Sequence, residues 1–251
     1  MATSIAVAGK GGTGKTTIAA LAISRLCARN EKPILAVDAD PDSNLAALLG
    51  LETTQSIGDL REDVRADINN FPAGMSKASY VEAGLHQIIE EAPGFDLITM
   101  GRGEGSGCYC YLNSLIKKFS DDLTPSYEWV VMDNEAGLEH ISRRTSTDID
   151  AMLIVVTENP LSFHSALKIR DITDSLKGRF FERYIVTNMI RDKQSSLVYK
   201  KIPELGIEHI CDIPYDSKLE EVVFNTEPVS NLIDGPAVAS IDMILDKIKK
   251  S

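Results

Sequence analysis

The sequence predicts a doubly wound α/β domain, with a mostly parallel sheet of about seven strands and helices on both faces. Three observations carry this prediction. Short, largely apolar runs recur along the chain, as strands covered on both faces do. Stretches of helical periodicity separate them, so successive strands are joined by crossovers, right-handed by rule. The first run, residues 4–8, leads straight into Gly9-Lys10-Gly11-Gly12-Thr13-Gly14-Lys15-Thr16-Thr17, a glycine-rich turn that opens a helix.

That turn fits G-x-x-x-x-G-K-[ST], a phosphate-binding loop. A phosphate needs many donors and little bulk around it. The glycines let consecutive backbone N–H groups turn inward, so Gly11, Gly12, Thr13, Gly14 and Thr17 form the cradle. Lys15 is placed to reach the β- and γ-phosphates, and the Thr16 hydroxyl to sit on Mg²⁺. Ile18, Leu21, Ala22 and Leu26 give the following helix its apolar face. Its positive end points at the same charge. A strand before, a helix after and an acidic strand later in the chain separate this motif from an ordinary glycine-rich turn.

The second strand, residues 33–37, ends in Asp38-Ala39-Asp40-Pro41-Asp42. Carboxylates at a strand's carboxyl end lie where an α/β sheet binds its ligand. Asp42 reads equally well as a cap for a helix over 45–49. Residues 52–94 mix charge with turn residues and predict mostly helix and loop. The whole of 52–128 is the less regular part of a single 1–251 domain. Within it, a strand at 95–100 feeds a glycine-rich run that delivers Cys108-Tyr109-Cys110.

Residues i and i+2 of an extended segment project to one side, so both sulfurs can face one point. Two thiolates suit Zn²⁺, Ni²⁺ or Cu⁺. They leave a tetrahedral ion half coordinated, and a twofold axis would supply the second pair. On spacing alone, incidental thiols or a redox pair remain equally open. Cys27 and Cys211 read as core residues.

Residues 129–133 form a strand ending in Asp133, which reads as the Walker B carboxylate that contacts Mg²⁺ through water. Further strands follow at 150–156, 184–189 and 208–213, the second ending near Asn188 and the third before Pro214 and Tyr215. A helix follows Pro160, and helices at 218–224 and 237–250 close the chain. A lone His140 reads as structural.

Lys10 carries a resemblance. A lysine directly after the first glycine makes the loop similar to the deviant Walker A of the MinD/ParA/nitrogenase-iron-protein class. The resemblance implies that Lys10 reaches across a homodimer to the partner's nucleotide. It also implies that Lys10, Lys15 and Asp40 are catalytic, Asp40 orienting the attacking water. Asp38, Thr16 and Asp133 would hold the metal and its waters. Asn188 would read the adenine edge, with a turn cap as the other reading, and Pro214 and Tyr215 would flank the base.

With Cys108-Tyr109-Cys110 and the stretch 132–140 added, most of the chain resembles the CooC family. Those ATPases mature carbon monoxide dehydrogenase by assisting nickel insertion, and a relative serves acetyl-CoA synthase. The resemblance implies an ATPase using ATP/ADP and Mg²⁺, with Ni²⁺ or Zn²⁺ shared across the homodimer by Cys108 and Cys110. The client would be one of those two nickel enzymes. Two other readings stay open. One is a ParA/MinD-type positioning ATPase. The other is a nitrogenase-iron-protein-like reductase, whose cluster cysteines lie far apart in sequence; this chain has none between Cys110 and Cys211.

Composition sets the outer bounds. A hydrophobic share of 43% suffices for a full core. A net charge of −11 argues against non-specific nucleic-acid binding, which wants a basic face. No apolar run approaches the roughly 18–20 residues that span a bilayer, and the start does not read as a signal peptide. The expectation is a cytoplasmic protein without nucleic-acid or membrane partners. Ile241, Ile244, Leu245 and Ile248 give the last helix an apolar stripe. Asp242 and Asp246 interrupt its polar face with negative charge, which suits docking on the domain rather than on anionic lipid.

Overall fold

Each apolar run becomes a strand because its side chains are buried on both faces of one sheet. The computed structural model describes residues 2–66, 76–101, 119, 121–134, 149–175, 180–191 and 197–249. The strands are β1 (Thr3–Gly9), β2 (Ile34–Asp38), β3 (Glu90–Ala92), β4 (Phe95–Thr99), β5 (Trp129–Asp133), β6 (Ile149–Val156), β7 (Phe180–Ile190) and β8 (Glu208–Pro214). The helices are α1 (Lys15–Ala28), α2 (Leu45–Leu49), α3 (Ile57–Ala66), α4 (Lys77–Gln87), α5 (Pro160–Ser175), α6 (Val198–Lys201), α7 (Ser217–Phe224) and α8 (Pro236–Lys249).

Among the described residues the sheet has eight strands in the order β3-β4-β2-β5-β1-β6-β7-β8, against about seven expected. The addition is β3, the antiparallel edge strand, paired to β4 through Glu90↔Leu97 and Ala92↔Phe95. Glu90-Glu91-Ala92 has no apolar run to announce it, and its charges suit an exposed edge. All other pairings are parallel.

Alternate residues of the inner strands build two cores. Ile5, Val7, Ala36, Leu97, Val131, Val155 and Val186 pack with α1, α2 and α8. Ala6, Ala8, Leu35, Ile98, Val130, Ile154 and Ile185 pack with α3, α4 and α5. Cys211 is buried and Cys27 half-buried against the first of these cores, as core thiols should be.

The closing helix is docked. Ile241, Ile244, Leu245 and Ile248 are buried. Asp242 pairs with Arg25 at 3.0 Å and with Arg29 at 2.9 Å, and Asp246 pairs with Arg29 at 2.7 Å. The acidic residues that interrupt the polar face are therefore the ones that clamp α8 to α1. Among the described residues, no helix is long and apolar enough to cross a membrane.

Candidate functional site

β1 delivers the glycine-rich loop to the carboxyl end of the sheet, between β5 and β6, where the strand order turns. The loop closes on itself. Thr13 donates to the Lys10 carbonyl twice, through its N–H at 3.2 Å and its hydroxyl at 2.8 Å. α1 then starts at Lys15 without a side-chain cap, which leaves its first-turn N–H groups for a ligand. Thr13 and Lys15 are buried, Lys10, Gly14, Thr16 and Thr17 half-buried, and Gly11 and Gly12 exposed.

The carboxylates meet beside it. β2 and β5 end in register, with Asp38 opposite Asp133. Asp38 is fully buried; its Oδ1 accepts from the Asp40 N–H at 3.1 Å and its Oδ2 from the Leu45 N–H at 3.0 Å. The first N–H of α2 is thus taken by Asp38. The cap reading of Asp42 is corrected, because the cap position of α2 is Asn44, whose own side chain makes no cap hydrogen bond; the Asp42 N–H donates to Asp40 Oδ1 at 3.0 Å.

Asp133 is also fully buried, and neither of its carboxylate oxygens has a hydrogen-bond partner. Burial pushes its pKa up to about 7. The nearby Thr16 hydroxyl and Lys15 pull it down, though no hydrogen bond of good geometry joins Thr16 to it, while Asp38 and Asp40 push it further up. Burial likewise raises Asp38 to about 6, offset by the Leu45 and Asp40 N–H groups and reinforced by Asp40. A buried carboxylate without donors is costly, and a cation relieves it.

Thr16, Asp38 and Asp133 therefore fit Mg²⁺, a hard ion that takes oxygen ligands and keeps much of its water. Among the described residues, no group of three or more His, Cys, Asp or Glu is arranged to hold a metal. Cys108 and Cys110 lie outside the described residues, as do Gly137, Glu139 and His140.

On the other side of the loop, the ends of β7 and β8 and the helix α7 enclose a cavity of about 250 Å³. Met189, Pro214, Leu219, Val223 and Phe224 give it apolar walls, Tyr215 and Glu220 lie on its lining, and Thr17 and Asn188 join it to the loop. Pro214 and Tyr215, expected to flank the base, both line this cavity. Asn188, the expected adenine contact, lines the same cavity and also reaches the loop. Its Nδ2 donates to the Thr13 carbonyl at 2.9 Å, and its Oδ1 accepts from the Met189 N–H at 2.9 Å.

Two residues at this end of the sheet escaped the sequence reading. Asp216 accepts from the Lys218 and Leu219 N–H groups with Oδ1 and from the Ala237 N–H with Oδ2, so it caps α7 and reaches the start of α8. An Asp before a helical run is a readable cap signal. Thr99 stands in register with Asp38, and its buried hydroxyl has no partner. Its signal was strand parity. Leu97-x-Thr99, Ala36-x-Asp38, Val131-x-Asp133 and Val186-x-Asn188 each end a run of the same core face with a polar residue.

Comparison with known proteins agrees with this geometry. The family described as "CobQ/CobB/MinD/ParA nucleotide binding domain" matches residues 4–229. An uncharacterised ATP-binding protein of Methanocaldococcus jannaschii is 38% identical over 247 residues, covering 97% of each chain. The carbon monoxide dehydrogenase accessory protein CooC of Rhodospirillum rubrum is 31% identical over 227 residues, covering 86% of this chain and 85% of that one. Among solved structures, the MinD cell division protein of Aquifex aeolicus superposes with a TM-score of 0.70 at 22% identity, covering 100% and 98% of the two chains. A ParA family ATPase of Chlorobium tepidum does so with a TM-score of 0.73 at 18% identity, covering 97% and 98%. Loop, carboxylate pair, sheet order and family match agree: the chain belongs to the CobQ/CobB/MinD/ParA nucleotide-binding domain family.

Proposed function

We propose that this chain is an ATPase that assists nickel insertion into carbon monoxide dehydrogenase or acetyl-CoA synthase, working as a cytoplasmic homodimer. One observation carries the reading. A chain with Cys108-x-Cys110 is 31% identical, over 86% of its length, to a carbon monoxide dehydrogenase accessory protein.

The phosphates of ATP lie on residues 11–17, with Lys15 on the β- and γ-phosphates and the base between Pro214 and Tyr215. Mg²⁺ at Thr16, Asp38 and Asp133 offsets charge on the phosphates. Asp40 orients the water that attacks the γ-phosphorus as the bond to ADP breaks. Lys10 reaches the nucleotide of the second copy, so closure of the homodimer and hydrolysis are linked. Cys108 and Cys110 hold Ni²⁺ or Zn²⁺ between the two copies, and the nucleotide state governs that site. A membrane-positioning role is less well supported, because the apolar stripe of α8 is buried.

The test is depletion in cells. Nickel content and activity of carbon monoxide dehydrogenase or acetyl-CoA synthase are expected to fall while the client polypeptide is still made. Full nickel loading of both enzymes without this protein would refute the assignment.

A further inference from the structure

We propose that Asn188 is a positioning residue for phosphate binding: its amide latches the glycine-rich loop from β7, and the apolar walls of the cavity hold the base. The inference deepens the nucleotide reading given above and rests on it. Asn188 is only 6% exposed, and its Nδ2 lies 2.9 Å from the Thr13 carbonyl, 175 residues away in sequence. The orientation of the amide is fixed by two partners. Exchanging its oxygen and nitrogen would set oxygen against the Thr13 oxygen and an NH₂ group against the Met189 N–H.

The loop is shaped to receive this latch. Gly14 has φ +86°, and a Cβ there would sit 2.4 Å from Asn188 Nδ2. The missing side chain is what lets the amide reach the backbone. A trans peptide holds its C=O and N–H on opposite sides. Pinning the Thr13 carbonyl toward Asn188 therefore turns the Gly14 N–H away from it, to the side where the cradle binds an anion.

The base is left mainly to shape. Met189, with φ +58° and 44% exposed, bulges from β7 between Asn188 and Ile190 and lines the cavity with Pro214, Leu219 and Val223. These walls offer a purine dispersion and apolar burial.

The test compares calorimetric binding of ADP, GDP and base-free pyrophosphate, each with Mg²⁺, to wild type, Asn188→Ala and Asn188→Asp. The second variant keeps the size of the side chain and removes the donor. Asn188→Ala is expected to weaken all three probes alike, about tenfold for one lost hydrogen bond, and Asn188→Asp to weaken them more, because it sets an oxygen against the Thr13 carbonyl and a negative charge beside the anion site. The ADP/GDP preference is expected to stay within about twofold. Unchanged pyrophosphate binding with weakened ADP binding, or a changed base preference, would overturn the latch. Should Asn188→Ala not fold, Asn188→Asp is read by the same two criteria. Wild type that binds pyrophosphate but no nucleotide would remove the base-cavity reading and spare the latch; wild type that binds neither removes both.

Discussion

Asp133 is fully buried, and both of its carboxylate oxygens are unpartnered. Its pKa of about 7 and that of Asp38, about 6, both lie above the ordinary 3.8. Linkage fixes the sign. Below the unfolded value both states are protonated, and the contribution to stability is fully present. As pH rises through the folded values, the native carboxyls must ionise in a buried site, and the contribution is lost. Metal-free protein is therefore expected to lose several kcal/mol from this pair between roughly pH 4 and pH 7. Asp133→Asn should melt several degrees above wild type at about pH 7.5, without Mg²⁺ or nucleotide, and the gain should vanish near pH 4. Parallel melting curves for the two proteins across that range would show that the carboxylate is solvated. Catalysis separates the neighbouring residues. Lys15→Ala removes the phosphate clamp and should abolish hydrolysis. Asp40→Ala should keep ATP binding and lose about 100-fold or more in turnover, because the cradle stays while the water is no longer oriented. Wild-type turnover in Asp40→Ala would assign the attacking water to another group.

Among the elements, the starts of α7 and α8 share one side chain. Asp216 accepts N–H groups at the starts of both, and Gly235 passes so close that a Cβ there would lie 2.8 Å from Asp216 Oδ2. Asp216→Ala should cost about 1–2 kcal/mol in chemical denaturation, the usual loss of an N-cap. It should also weaken ADP binding, since α7 carries Leu219 and Val223 to the cavity. Asp216→Asn keeps an oxygen for the Lys218 and Leu219 N–H groups but sets an NH₂ group against the Ala237 N–H, so it should recover only the α7 share of the loss; an equal loss in the two variants would show that the α7 cap is not what carries it. How far such features are legible in the sequence depends on what forms them. β1, β2, β5 and β6 are legible because burial on both faces demands apolar side chains. β3 is not, because it is held by backbone pairing at a charged edge. The loop and the strand-end carboxylates are legible because their chemistry is local. The cap on α2 is less so, since Asp38 precedes Leu45 by seven residues and acts across a turn. Asn188 stands at the expected strand end, but its partner Thr13 is brought to it only by the order of β1, β6 and β7 in the sheet.

For the whole molecule, the central question is how two copies associate. Each chain carries a formal charge of −11, so two of them repel at low salt. Nucleotide and metal are the proposed counterweights. Lys10 lies half-buried on the phosphate loop, and its proposed target is the nucleotide of the other copy. Lys10→Ala should reduce dimer formation with a non-hydrolysable ATP analogue in sedimentation, with a smaller loss of nucleotide affinity. The metal makes the more exacting test. Thiolates bind a metal after losing their protons, and Cys108 with Cys110 leaves a tetrahedral ion half coordinated. If the second copy supplies the other pair, the stoichiometry is one Ni²⁺ or Zn²⁺ per dimer. Binding to the dimer alone must then pull the monomers together by mass action. Metal titration with mass determination should show both effects in wild type and their loss in Cys108→Ala and Cys110→Ala. Hydrolysis in those variants should persist, because the loop and carboxylates of the nucleotide site belong to other segments. One tight metal per monomer, or wild-type affinity in Cys108→Ala, would dismiss the shared site and leave these cysteines as ordinary thiols.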